Sequence, residues 1–228
     1  SAPSAFARML DSDVFHSFRR NPVVMVSAAV TAIFVLAAVF APWITPYHPY
    51  DLASLDLNDA FTPPAWTEEG SRRFLLGADD QGRDVLSTIV FGARVSLLVG
   101  FCAVLFAMTV GITLGLVSGY VGGAVESVIM RVADVQLTFP GILIALLIDG
   151  LARTALPRDL HSEIALYVVI FAIGIANWPQ FARTVRGSTL VEKSKEYVQA
   201  ARVIGLHPGL IMLRHVLPNV MGPVLVIA

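Results

Sequence analysis

Residues 95–125 read Val95-Ser-Leu-Leu-Val-Gly-Phe-Cys-Ala-Val-Leu-Phe-Ala-Met-Thr-Val-Gly-Ile-Thr-Leu-Gly-Leu-Val-Ser-Gly-Tyr-Val-Gly-Gly-Ala-Val125, without one Asp, Glu, Lys or Arg. A helix of about 20 such residues crosses a hydrocarbon core about 30 Å thick. Two further stretches are equally free of charge, Asn21 to Pro46 and Ile164 to Ala182. In lipid, backbone groups must be bonded internally, so each run is a helix rather than an open strand. The whole chain is 56% apolar and 14% charged, against roughly 45–50% and 25% for soluble domains. A soluble protein is excluded. Val135 to Ile148 is charge-free but short, so that span is expected to start near Ser127. Arg131 and Asp134 then fall in its first turns at i,i+3 spacing, where they can pair. The last run, Val216 to Ala228, has the length of half a span.

The fold class is therefore all-α, a polytopic transmembrane bundle with about five spans covered. Basic residues collect in cytoplasmic loops. Arg8, Arg19 and Arg20 precede the first apolar run, which places residues 1–22 inside as a cytoplasmic segment and 23–46 as the first transmembrane helix. No small-residue cleavage site follows that run, so it reads as a retained helix rather than a signal peptide. Residues 47–93 then form an extracytoplasmic loop, rich in turn residues and in Asp and Glu, with Trp43, Tyr47 and Tyr50 at the membrane boundary. Alternation carries Arg183 to His215 back inside. This segment holds Arg183, Arg186, Lys193, Lys195, Arg202 and Arg214 against Glu192 and Glu196, so a basic loop falls where an inside loop is required.

Chemistry-bearing motifs are sparse. Gly77 and Gly82 have the spacing of a phosphate loop, but Arg83-Asp84 replace the Lys-Ser/Thr pair, and Asp79 and Asp80 would repel phosphate. The five histidines are scattered, Cys102 is the lone cysteine, and no metal, disulfide or nucleophile constellation appears. No catalytic residue, metal site, cofactor on this chain or nucleic-acid partner is expected. Gly111, Gly115 and Gly119 form a small-xxx-small ladder for close helix packing. In the basic loop, Glu196 to Gly205 reads as a short amphipathic helix, with Ser194 as N-cap and Gly205 as terminator in a left-handed conformation. Tyr197, Ala200, Ala201 and Ile204 share one face. That face suits either a partner's cleft or the lipid surface.

These residues resemble the signature of permease subunits in ABC importers: Glu-Ala-Ala, three residues, Gly, nine residues, then Ile-x-Leu-Pro. Ala200, Ala201, Gly205, Leu217 and Pro218 stand in register. Gln199 replaces the signature Glu and His215 the Ile. Glu196-Tyr197-Val198 before Ala200-Ala201, and Arg214 to Asn219, are similar to the peptide-permease branch. Leu76 to Ser87, Gly92 to Leu97, Gly119 to Gly123, Arg131 to Asp134, Phe139-Pro140-Gly141, Trp178 and Ala182 to Gly187 resemble dipeptide, oligopeptide and nickel permeases. The long loop after the first span resembles the C-type subunit.

The resemblance implies six spans in a full chain, with residues 94–228 as the permease core, truncated before the last span. It implies a multi-pass subunit of a prokaryotic plasma membrane importer for peptides or peptide-like ligands, with nickel or glutathione as alternatives. Implied partners are a second permease subunit, two ATP-binding subunits carrying ATP and Mg, an extracytoplasmic substrate-binding protein and the lipid membrane. Glu196, Tyr197, Gln199, Ala200, Ala201, Arg202 and Gly205 would form the helix that couples to the ATPases. A stand-alone secondary transporter fits less well, because no chain of buried carboxylates offers a proton relay.

Overall fold

The structure, a computed structural model, describes residues 20–51, 55–157 and 161–228, without the side chains of residues 162 and 163. Most of the 1–22 segment, with Arg8 and Arg19, lies outside the described residues. Compact units comprise residues 1–98 and 99–228, and among the described residues the regular elements are helical.

The first unit begins with α1, Pro22–Val39, and a single turn, α2, Ala41–Ile44. Asn21 caps α1 by accepting from the Val23 and Val24 amides, and Pro22 sits at the first helical position, where no amide hydrogen is needed. The helix is apolar all round and largely exposed: Val23, Ile33 and Phe34 each leave more than half their surface open. Lipid is the solvent such a surface requires.

Residues 55–84 fold into turns around two ionic centres. Arg73 bonds Asp59 Oδ2 at 2.8 Å and the Tyr47 hydroxyl at 3.2 Å, and its guanidinium lies over the Tyr47 and Phe74 rings. The Asp79 carboxylate accepts from the Gln81 and Arg83 amides and from Arg83 Nε. Burial alone would raise its pKa, but those three donors outweigh burial and lower it. Gly77 has φ +86°, and a Cβ there would lie 2.6 Å from the Thr62 carbonyl oxygen. The glycine spacing that mimics a phosphate loop thus serves a tight turn.

Buried Asp84 ends this segment by accepting from the Ser87 amide at 2.8 Å. That cap starts α3, Val85–Val121, inside the stretch expected to be loop up to residue 93. Its 37 residues extend about 55 Å at 1.5 Å per residue, longer than a bilayer core.

In the second unit, α3 is followed by α4, Gly123–Thr138, and α5, Gly141–Ala155. The span expected to run unbroken from near Ser127 is instead two helices bent by 93°. Pro140 between them removes a backbone donor and clashes with a continuing helix. Long α6, His161–Glu192, packs against α4, α5 and α9. The chain closes with α7, Glu196–Val203; α8, Pro208–Ile211; a π turn, Met212–Val216; and α9, Leu217–Ile227. The π turn precedes Pro218, which cannot donate to the carbonyl four residues back. Among the described residues, four helical stretches can cross a membrane by length and composition, or five if the bent pair is one span. The chain is a multi-pass, all-α membrane protein.

The glycine ladder sets the close approach of α3 to α6. A Cβ at Gly111 would lie 2.5 Å from Phe181 Cβ, one at Gly115 2.6 Å from the Ala182 carbonyl, and one at Gly119 2.8 Å from Thr189 Cβ. Backbone contact here replaces side-chain interdigitation, as small residues allow in lipid. Asp134 corrects another expectation. Its partner is Arg183 of α6, not Arg131 one turn earlier. Arg186 likewise pairs with Glu126, and these two pairs line a cleft of about 530 Å³ between α4 and α6.

Candidate functional site

The segment that carries the sequence-derived candidates is a short helix held between long ones. Past Glu192 the chain turns through Lys193 to Lys195, with the Lys195 amide donating to the Glu192 carbonyl at 3.2 Å. Lys195, not Ser194, is the N-cap of α7, and it forms no side-chain cap bond. The Ser194 hydroxyl turns back to the Val191 carbonyl at 2.7 Å. The expected cap fails because this nearer carbonyl of α6 competes for the hydroxyl. Glu196 in the first turn and Arg202 in the last complement the helix dipole.

At its other end α7 closes in a Schellman motif. The Gly205 amide donates to the Arg202 carbonyl at 3.0 Å, and the Leu206 amide to the Ala201 carbonyl at 3.1 Å. Gly205 has φ +78°, the left-handed conformation expected for it. Among the described residues, its two chain neighbours aside, no atom lies within 4 Å of where its Cβ would be. Leu206 folds back against the core.

Burial divides the candidates differently from the sequence reading. Val198 (0%) and Ala201 (4%) face inward, among Leu116, Ile211, Val216 and Val220. Ala201 is therefore not on an outward face with Ala200. Glu196, Gln199, Ala200 and Val203, at i, i+3, i+4 and i+7, form the exposed stripe, beside Arg202, Ile204 and Gly205. Val203 is 86% exposed and Ile204 73%. Two large apolar side chains are thus left open on a helix whose other face is buried. Sequence reasoning missed Val203. Its signal was the same 3.6-residue period, started at Glu196 instead of Tyr197.

Polar contacts fasten α7 and its flanks to three long helices. Lys193 Nζ donates to the Gly119 carbonyl at 2.6 Å, near the end of α3. Arg202 Nε lies 3.3 Å from the Tyr120 hydroxyl, with its guanidinium 4.8 Å from that ring's centroid. Lys195 pairs with Glu192 at 2.7 Å, and Gln199 Nε2 reaches the Lys193 carbonyl at 3.2 Å. Tyr197 is 38% exposed, but its hydroxyl is turned toward α6 and α9. Its hydroxyl bonds Glu192 of α6 and accepts from Asn219 Nδ2 of α9 at 3.1 Å. Burial first, and then the bond to Glu192, push the Tyr197 pKa up to about 12. Among the described residues no group of three His, Cys, Asp or Glu side chains is placed to hold a metal.

Comparison with known proteins bears on this arrangement. Residues 111–228 match the profile described as binding-protein-dependent transport system inner membrane component. Residues 12–64 match the N-terminal transmembrane domain of oligopeptide transport permease C. The chain is 35% identical to a di/tripeptide transport system permease protein of Pseudomonas aeruginosa, over 94% of this chain and 66% of that one. It is 39% identical to a dipeptide transport system permease protein of Escherichia coli K12, over 94% and 67%. A glutathione transport system permease protein of Escherichia coli O6:K15:H31 is 34% identical over 94% and 65%. The chain spans about two thirds of the length of these relatives.

Proposed function

Because the chain belongs to the family of binding-protein-dependent transport system inner membrane components, we propose that it is a pathway-forming permease subunit of an ATP-driven importer for peptides or peptide-like ligands. It acts with a second permease, two cytosolic ATPases that hold ATP and Mg, and an extracytoplasmic binding protein that delivers the ligand. The subunit itself hydrolyses nothing. Its N-terminus and the 193–216 segment lie in the cytoplasm of a prokaryotic cell, and the 55–84 segment lies outside.

One observation carries this reading: α7 buries one face in its own chain and leaves Glu196, Gln199, Ala200 and Val203 open on the other. A helix merely resting on lipid needs no second anchored face, whereas a helix that passes on force must be held by the body it moves. In this reading Ala200 and Gly205 permit close approach of an ATPase, Val203 and Ile204 fill its cleft, and Glu196 and Arg202 set orientation at the rim. Glutathione is the second ligand reading, favoured by the similarity to a glutathione permease.

The complete importer, reconstituted in vesicles with its binding protein, should take up a labelled dipeptide or glutathione only with ATP and both ATPases present. Uptake by the permeases alone, driven by an ion gradient, would replace this function with secondary transport.

A further inference from the structure

Tyr197 stands among the residues that the family resemblance assigns to ATPase coupling, yet its hydroxyl faces away from the exposed stripe. It is the node at which three segments meet. Glu192 comes from the last turn of α6, Asn219 from the first turn of α9, and His215 from the π turn before it. A phenol has one proton. The contact to the carboxylate oxygen of Glu192, charge-assisted, takes it. The His215 carbonyl lies 3.2 Å from the same hydroxyl and is served instead by Asn219 Nδ2 at 2.8 Å. The other amide hydrogen of Asn219 reaches the Tyr197 oxygen at 3.1 Å. The Tyr197 hydroxyl, the Glu192 carboxylate, the Asn219 amide nitrogen and the His215 carbonyl then have consistent donor and acceptor roles.

The surroundings make this node stiff. Glu192 is 6% exposed and is held from its other side by Lys195. The backbone beneath is packed by Val198, Val216 and Val220, each at most 1% exposed. Because the phenol's pKa is pushed up to about 12, it remains a proton donor throughout the range in which proteins work.

We propose that Tyr197 is a positioning residue that locks α7 to the ends of α6 and α9 at once, so that a displacement of α7 is delivered to both helices together. Apolar packing alone resists separation but permits sliding, whereas directional bonds to Glu192 and Asn219 fix the azimuth of α7 as well. Removal of the hydroxyl should leave α7 docked and folded while its movement is partly lost to slip. This inference rests on the reading of α7 as the ATPase-docking helix.

The test uses the complete importer in vesicles, carrying Tyr197→Phe, Glu192→Gln or both, with a labelled dipeptide as probe. Glu192→Gln keeps an acceptor but loses the charge and the Lys195 pair, and should lower uptake per ATP hydrolysed less than Tyr197→Phe. Tyr197→Phe should lower uptake per ATP hydrolysed on the order of tenfold, the scale of one hydrogen bond to a charged group. ATPase copurification and the thermal midpoint of the Tyr197→Phe complex should match the parent. The loss in the double variant should be smaller than the sum of the two single losses, because both changes alter the Tyr197–Glu192 bond. Parent-like coupling in Tyr197→Phe, additive losses in the double variant, or a fall in ATPase binding that accounts for the lost uptake would each overturn the lock. Val203→Asp separates this from the underlying reading. If it leaves ATPase binding intact, α7 is not the docking helix, whereas lost binding in Val203→Asp beside a parent-like Tyr197→Phe removes only the lock.

Discussion

The 55–84 and 193–216 segments both lie between long apolar helices, and each has a tyrosine among its polar contacts, yet they are fastened differently. In the first, Arg73 reaches Tyr47, 26 residues away, and Asp59, 14 away, and Asp79 bonds its own turn. These contacts are local, reaching outside the segment only to Tyr47 and, through Asp84, to Ser87 at the start of α3. In the second, Lys193 reaches Gly119 across 74 residues, and Arg202 reaches Tyr120 across 82. Tyr197 adds the ends of α6 and α9. A segment fastened mostly within itself can present a shape to a partner, and among the described residues its tie to a long helix is the Asp84 cap on α3. A segment tied to the ends of three helices has more such bonds, and that difference supports the proposed transmission through the 193–216 side.

The largest expected effect comes from removing what the second segment is tied to. A leucine at Gly115 would drive its Cβ within 2.6 Å of the Ala182 carbonyl and 2.7 Å of Val185 Cβ, at a cost of about 3 kcal/mol. Gly115→Leu should therefore sharply lower the yield and thermal midpoint of the detergent-purified chain. Gly100→Leu, where nothing lies within 4 Å, should not. Equal behaviour of the two would mean that α3 and α6 do not approach closely at the ladder.

Gly205→Asp is next in size. A side chain in the left-handed conformation costs about 1–2 kcal/mol, too little to unfold a multi-span bundle. Insertion and expression should survive, while copurification of the ATPases and ligand uptake decline together. Normal assembly with normal uptake would argue for a helix resting on lipid. Smaller again, Arg202→Gln removes the cation over the Tyr120 ring, worth about 0.5–1 kcal/mol at an exposed site. It should raise hydrogen exchange in α7 a few-fold and leave the 55–84 segment unchanged.

The smallest effect lies in the 55–84 segment and depends on pH. The Asp79 pKa is lowered from its ordinary 3.8, so the folded turn binds its proton less readily than the unfolded chain. Its stabilisation is complete above pH 3.8 and is lost as pH falls through the lowered value. The Asp79 carboxyl resonance should titrate below 3.8, and Asp79→Asn should abolish this part of the acid sensitivity.

The fold was legible where a rule acts along the chain. Charge-free runs revealed the long spans, and the glycine ladder, at every fourth residue, revealed a packing face. Gly205 was legible because a helix end demands a left-handed residue there. Two boundaries carried signals that were passed over. Asp84, three residues before Ser87, is a helix cap that starts α3 at Val85, and Phe139-Pro140-Gly141 marks the break in the third span. The Asp134 partner was not legible. Arg183 lies 49 residues away, and only the packing of α4 on α6 selects it over Arg131. The inward turn of Ala201 was hidden for the same reason: a short helix with apolar residues on several faces buries whichever face its neighbours cover. Ala201 and Val198 lie beneath Ile211 and Val216, which is a fact of the tertiary fold.

One measurement addresses the central contrast directly. In a Cys102→Ser background, single cysteines replace Glu69, exposed in the 55–84 segment, and Val203, exposed on α7. The complete importer is treated with a short bifunctional crosslinker that joins thiols to amines. Position 203 is expected to join an ATPase subunit, with a yield that changes between nucleotide-free and ATP-bound states, while position 69 joins no ATPase in either. Crosslinking of position 69 to an ATPase, or a position 203 that joins none, would contradict transmission through α7.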